Sequence, residues 1–188
     1  MPGRTALASV WLMNSLSRLL PLAALLLSAF TALAEDNLLP NGDFSKGLEG
    51  WEVRFAEEAA ATTEVVKDGY EGKPALKIQV GDTEIESWKG SAFIAVPLEA
   101  GATYTFKCYL MSEPDDSNIE IVAWGRNPAD KNSTLYGDRT PARPTQAFEE
   151  FTAQFTVTEA KERTAISLNN LARANRIIWI ANCSLTKN

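Results

Sequence analysis

Apolar and polar residues alternate along most of this chain with a period of two. Trp51-Glu52-Val53-Arg54-Phe55 alternates apolar and charged side chains, as do Ala75-Leu76-Lys77-Ile78-Gln79-Val80 and Phe151-Thr152-Ala153-Gln154-Phe155-Thr156-Val157. Successive side chains on a strand point to opposite faces, so this pattern marks antiparallel strands with one buried and one wet face. Turn signals separate the runs: Asp68-Gly69, Glu71-Gly72, Gly81-Asp82, Glu99-Ala100-Gly101 and Pro114-Asp115-Asp116. Strands are predicted near 38–44, 51–56, 61–67, 74–80, 91–98, 103–112, 117–125, 148–157, 163–169 and 176–186. Many short strands at this spacing predict an all-β jelly-roll sandwich of two antiparallel sheets. The alanine- and glutamate-rich stretch 56–61 has room for one helical turn, too little to change the class.

The same alternation assigns faces. In 104–111, Tyr104, Phe106, Cys108 and Leu110 face the core, and Thr105, Lys107, Tyr109 and Met111 face outward. In 118–126, Ile119, Ile121 and Ala123 face inward, and Glu120, Val122, Trp124 and Arg126 outward. Near the end, Trp179 is placed on the core side with Ala181, Cys183 and Leu185. One segment breaks the pattern. Residues 125–146 hold Pro128, Pro141, Pro144 and several charges around Tyr136. A loop this long is usually functional or disordered; it reads either as a flap over one edge of a binding surface or as a mobile excursion.

Residues 1–34 change the picture of where the chain resides. They carry Arg4 and Arg18, no acidic residue, an apolar run 19–30 and a closing Ala32-Leu33-Ala34. This is the order of a secretory signal peptide, and the run is too short to span a bilayer, which takes about 20 residues. The expected product is a single domain, 35–188, secreted, periplasmic or held at the cell surface. Loss of the two arginines takes the net charge from −6 to −8. An acidic chain without a basic cluster in its sequence is a poor candidate for nucleic acid or an anionic membrane.

Chemistry is restricted by what is missing. The chain contains no histidine, which removes Ser-His-Asp and Cys-His centres and most catalytic zinc sites. Its carboxylate pairs, Glu57/Glu58, Glu84/Glu86, Asp115/Asp116 and Glu149/Glu150, are mostly next-door residues that point to opposite faces of a strand. A glycosidase needs two carboxyls about 5–10 Å apart across one cleft. An enzyme is therefore not expected. The two cysteines, Cys108 and Cys183, fall on core-facing positions. Either they bridge, closing a loop worth on the order of 4 kcal/mol, or they pack as two buried free thiols.

The run Asn37-Leu38-Leu39-Pro40-Asn41-Gly42-Asp43-Phe44-Ser45-Lys46-Gly47-Leu48-Glu49-Gly50-Trp51 resembles the opening of the CenC-type carbohydrate-binding modules, in the galactose-binding-like jelly-roll superfamily. Four later runs are similar to that family's landmarks in the same order: Asp68 to Ile78, Trp88 to Phe106, Phe148 to Thr158 and Ile178 to Leu185. Gly42 and Gly47 suit tight turns needing positive φ, and Phe44 with Trp51 can seal one end of the sandwich. The resemblance implies non-catalytic binding of a polysaccharide or oligosaccharide on the concave face of one sheet, beside a glycoside hydrolase that here would be a separate chain. A pyranose ring stacks its C–H face on Trp or Tyr while its hydroxyls bond to Glu, Arg and Lys. By that likeness the candidate sugar-binding residues are Trp88, Tyr109, Glu120, Trp124 and Arg126. Packing alternatives stand beside them: Trp88 as an edge cap, Trp124 as a residue under the long loop. Many members also hold a structural calcium, with an acidic residue after the Asn-Gly-x-Phe turn and an aspartate in the closing strand. Ser45 and Ala181 occupy those positions here, Asp43 and Asn182 are not the matching ones, and calcium is not expected. The competing reading from another class is a structural or adhesion module that binds a protein at the cell surface.

Overall fold

The computed structural model describes residues 36–116 and 118–188; the expected signal peptide lies outside the described residues. Asp36–Asn188 form one compact unit built from two antiparallel sheets. Eleven strands follow in chain order: β1 (Trp51–Phe55), β2 (Thr62–Val66), β3 (Ala75–Gln79), β4 (Gly90–Ala95), β5 (Thr103–Glu113), β6 (Ile119–Arg126), β7 (Thr134–Leu135), β8 (Thr140–Ala142), β9 (Glu149–Thr156), β10 (Arg163–Asn169) and β11 (Ile177–Lys187). Sheet A runs β1-β4-β10-β6-β7, with β8 also paired to β6, and sheet B runs β2-β3-β11-β5-β9. The all-β sandwich is thus as the alternation predicts. Among the described residues no helix is long and apolar enough to cross a membrane; the stretch 56–61 supplies only a short 3-10 turn, Glu57–Ala59.

The inner faces of the two sheets meet in one apolar core. Tyr104, Phe106, Cys108 and Leu110 from β5 pack there with Ile119, Ile121 and Ala123 from β6. Aliphatic side chains of β3, β4, β10 and β11 complete it. Phe44 and Trp51 stack at 4.9 Å between ring centroids and close one end, and the Trp51 indole N–H donates to Asn41 O at 3.1 Å.

Three expectations are corrected. The segment 38–44 is not a strand but a series of turns, because Asn41 (φ 62°) and Phe44 (φ 56°) adopt left-handed backbone conformations that break a regular ladder. Gly47 has the positive φ of 66° expected of it, whereas Gly42 is glycine for closeness: a Cβ there would lie 2.1 Å from Cys183 O. Finally, Trp179 points outward from sheet B. Ile178 and Ile180 fill the core, then the register of β11 against β5 shifts between Ala181 and Ser184, with Asn182 at φ 44°. A bulge inserts one unpaired residue and inverts the parity of everything beyond it. Cys183 and Leu185 therefore point inward although Trp179 does not.

Cys108 and Cys183 are both free and fully buried on the paired strands β5 and β11. Burial pushes both thiols well above the ordinary cysteine value.

Candidate functional site

Sheet A carries a groove on its outer face, and the side-chain sizes along its strands explain why. On the two middle strands, β4 and β10, outward positions are mostly small: Ser91 and Ala95 on β4; Ala165, Ser167 and Asn169 on β10. Larger outward residues stand on the flanking strands, Arg54 on β1 and Trp124 and Arg126 on β6. The long loop raises the far wall. It is no mobile excursion: β7 pairs with Trp124 and Gly125, β8 with Ile119, Glu120 and Ile121. Tyr136 anchors it, 1% exposed, its N–H donating to Ala123 O at 2.9 Å and its hydroxyl to Glu159 O at 3.0 Å. Gly125 is what admits the Tyr136 ring, since a Cβ there would lie 2.0 Å from the phenolic oxygen. Leu135 and Arg139 from this loop face the open groove, about 310 Å³ in volume.

The floor of the groove is aromatic and its walls are cationic. Phe93 on β4 is only 5% exposed although it lies on the outer face. Its cover is the edge of Trp124 at 5.9 Å, the Arg54 guanidinium at 4.8 Å and the Arg163 guanidinium at 5.4 Å. Arg163 also lies 5.8 Å from the Trp124 ring centroid. Arginine stacks well on aromatic faces because its planar cation meets the negative face of the ring. Trp124 itself stays half-buried with part of its surface open to the groove.

Among the described residues four arginines line this volume, Arg54, Arg126, Arg139 and Arg163, and no carboxylate does. Two glutamates stand at its rim. Glu52 accepts from both Arg54 and Arg163 at 2.5 Å, and the hydrogen bond from Arg54, with the charge of Arg163, holds its carboxyl below the usual range. Glu120 accepts from Arg139 Nη1 at 2.9 Å. Among the described residues Arg126 forms no ion pair, and it lies directly opposite Arg163 in the β6–β10 ladder.

Of the five residues expected to bind sugar, Trp124 and Arg126 line the groove. Glu120 sits at its rim, holding Arg139. Trp88 lies outside its lining, on a 3-10 turn, Ser87–Lys89, just before β4, and is 68% exposed. It is no buried edge cap. Tyr109 is on the other side of the molecule. β5 belongs to sheet B and β6 to sheet A, so their outward faces point in opposite directions and Tyr109 cannot share a surface with Trp124. It stacks on Tyr70 at 4.0 Å and donates to Glu150 at 2.9 Å. Phe93, Arg54, Arg139 and Arg163 were not anticipated. Arg54 and Arg163 sit at polar positions of alternating strands, but only the pairing of β1, β4, β10 and β6 brings them together.

The positions matching the family's calcium ligands carry no carboxylate. Ser45 Oγ donates to Asp43 at 2.8 Å, which uses the nearest carboxylate, and Ala181 presents a buried methyl group. Among the described residues no group of three or more Asp, Glu, Cys or His side chains is placed to hold a metal.

A family model described as a carbohydrate binding domain matches residues 36–170. No curated protein matches the chain. Several solved structures share its fold. One is a protein described under the words CBM4 structure and function (18% identity, 80% of this chain and 99% of that one covered, TM-score 0.62). A second is the CBM22-1 xylan-binding domain of a Paenibacillus barcinonensis protein (15%, 82% and 96%, 0.60). A third is the second N-terminal cellulose-binding domain of Cellulomonas fimi β-1,4-glucanase C (19%, 82% and 96%, 0.58). At such identities the likeness is one of fold.

Proposed function

The chain belongs to the carbohydrate binding domain family, and from that premise we propose that it is a secreted, non-catalytic module holding a polysaccharide chain in the groove of sheet A. The single observation that carries this reading is Trp124, half-buried and fixed edge-on against Phe93, with part of its ring open to a volume of about 310 Å³. A pyranose ring would lie on that indole, and the guanidinium groups on either side would donate to its hydroxyls. A xylan-binding and a cellulose-binding domain among the fold's relatives make a β-linked glycan a reasonable first ligand.

Two features favour binding without catalysis. The carboxyls displaced from their ordinary values, Asp43, Glu52, Glu86 and Asp130, are all displaced downward, the wrong direction for a general acid. The groove lining itself holds no carboxylate to attack or protonate a glycosidic oxygen. The likeness to a cellulose-binding domain of a β-1,4-glucanase supports an accessory role beside a glycoside hydrolase.

Stacking that removes about 60–100 Å² of apolar surface from water, at about 25 cal/mol per Å², supplies about 1.5–2.5 kcal/mol. Trp124→Ala should therefore weaken retention on an insoluble glycan by about tenfold or more. A broad glycan array finds the ligand, and depletion assays with wild type and variant measure the loss. Absence of binding to every glycan sinks the proposal, as does full retention by the Trp124 variant.

A further inference from the structure

We propose that the sugar this groove prefers is acidic, carrying a carboxylate or a sulfate ester, and that Arg126 together with Arg163 receives the anion; this rests on the groove being the glycan site. Arg126 and Arg163 are direct partners across the β6–β10 ladder, on the outer face of sheet A. Like charges in that relation, with Cβ atoms about 4.5–5.5 Å apart, repel and destabilise a sheet. The rim carboxylates relieve the clash only on the Arg163 side. Glu52 is shared between Arg54 and Arg163, and Glu120 is engaged by Arg139. The acidic side chain beyond the end of β6, Asp130, accepts from Asn127 N at 3.0 Å and pairs with Lys161 at 3.4 Å. Four guanidiniums thus face two rim carboxylates, and among the described residues Arg126 forms no ion pair, the charge of nearby Asp130 reaching it only at longer range.

This concentration of positive charge stands out in a chain whose net charge is −6. A neutral sugar offers hydroxyls, which both donate and accept, and a groove suited to it mixes donors with acceptors. The charged groups lining this one only donate, since guanidinium has five N–H groups and no acceptor. A planar carboxylate or a sulfate matches the guanidinium fork, and charge-assisted bonds of this kind are about twice as strong as neutral ones. An anion between Arg126 and Arg163 would also turn their mutual repulsion into attraction for the ligand. Trp124, paired with Ala165 one pleat away on the same face, would stack the ring that bears the charge.

The test compares acidic polymers with neutral counterparts of the same linkage. Polygalacturonate, alginate and glucuronoxylan are each paired with their carboxyl-reduced forms, and a sulfated galactan with its desulfated form. Binding is measured by affinity electrophoresis or calorimetry for wild type, Arg126→Gln, Trp124→Ala and Lys77→Gln, the last on the opposite sheet. The expected result is at least tenfold tighter binding to an acidic polymer than to its neutral form. Arg126→Gln should erase most of that preference and Lys77→Gln should keep it. Whether the carboxylate or the sulfate arm responds identifies the anion. Equal or tighter binding of the neutral polymers throughout, with Trp124→Ala still weakening it, overturns the acidic preference and leaves the groove intact as a glycan site. Binding that ignores Trp124→Ala, or no binding at all, removes the groove reading and this inference with it. Arg126 is exposed, so its variant keeps the fold, which a thermal melt no lower than that of wild type verifies.

Discussion

Replacing Gly125 by alanine should do far more damage than one added methyl suggests. Gly125 lies between Trp124 and Arg126 on β6, with its empty side facing inward against Tyr136. The new Cβ would meet the phenolic oxygen at 2.0 Å, the ring carbon beside it at 2.7 Å and the Lys161 Cγ at 2.8 Å. The ring must retreat by more than an ångström from a place where it is 1% exposed. Overpacking of this kind costs about 1–3 kcal/mol, and loss of the bond from the Tyr136 hydroxyl to Glu159 O adds about 1 kcal/mol. The sum, about 2–4 kcal/mol, corresponds to a melting temperature lower by about 5–15 °C for a domain of this size. Urea unfolding followed by tryptophan fluorescence measures the loss. A double-mutant cycle identifies its source: in a Tyr136→Ala background the Gly125→Ala change should cost under about 1 kcal/mol. The displaced loop also carries Leu135 and Arg139, so glycan affinity should fall with stability. Gly125→Ala within about 0.5 kcal/mol of wild type would show that Tyr136 is not held against β6 as described.

Other consequences follow from polar groups held by burial or by a charged partner. Asp116 is fully buried, pairs with Arg173 at 3.0 Å and Arg176 at 3.7 Å, and accepts from Asn118 N at 3.0 Å. Asp116→Ala leaves these arginines without their partner and should lower stability by about 3 kcal/mol in a denaturant titration. Tyr109 and Tyr136 ionise above the ordinary tyrosine value, Tyr109 through its bond to the Glu150 carboxylate and Tyr136 through burial. The neutral phenol is thus favoured in the folded state. The stability this confers is complete below about pH 10, where unfolded tyrosine titrates, and is lost as pH rises toward the folded values. Alkaline titration of phenolate absorbance should show two groups ionising late, and Tyr109→Phe should remove one. With both thiols buried and their ionisation suppressed, Cys108 and Cys183 should be inert to a thiol reagent in the native protein and both react on unfolding. Rapid native reaction contradicts their placement, and no reaction on unfolding would reveal a bridge.

The alternation of apolar and polar residues was enough to assign the faces of β5 and β6 correctly, because both run without interruption. It failed for Trp179, where one extra residue near Asn182 shifts the phase and nothing in composition announces it. It could not say that the outward faces of β5 and β6 lie on opposite sides of the molecule, because that depends on which sheet each strand joins. Alternation alone therefore sets Tyr109 beside Trp124. The arginines of the groove come from β1, β6, the loop before β8, and β10, spread over more than a hundred positions. Each is an ordinary polar residue in its own strand. Only the ladder, with Arg126 opposite Arg163, makes them a cluster, and their presence locally reverses the charge of an acidic chain. The turns at 38–44 escape the pattern because asparagine and phenylalanine at positive φ look, in sequence, like the start of a strand.

The central claim is that glycan binds on the outer face of sheet A. Backbone and indole amide shifts, followed by NMR while an oligosaccharide of the preferred polymer is titrated, test it most directly. The account predicts that the Trp124 indole and the amides of Phe93, Val122 and Ser167 move together along one saturating curve, while the Trp179 indole and the amides around Tyr109 stay in place. Shifts confined to Tyr70, Tyr109 and Trp179 would contradict it and move the binding surface to sheet B.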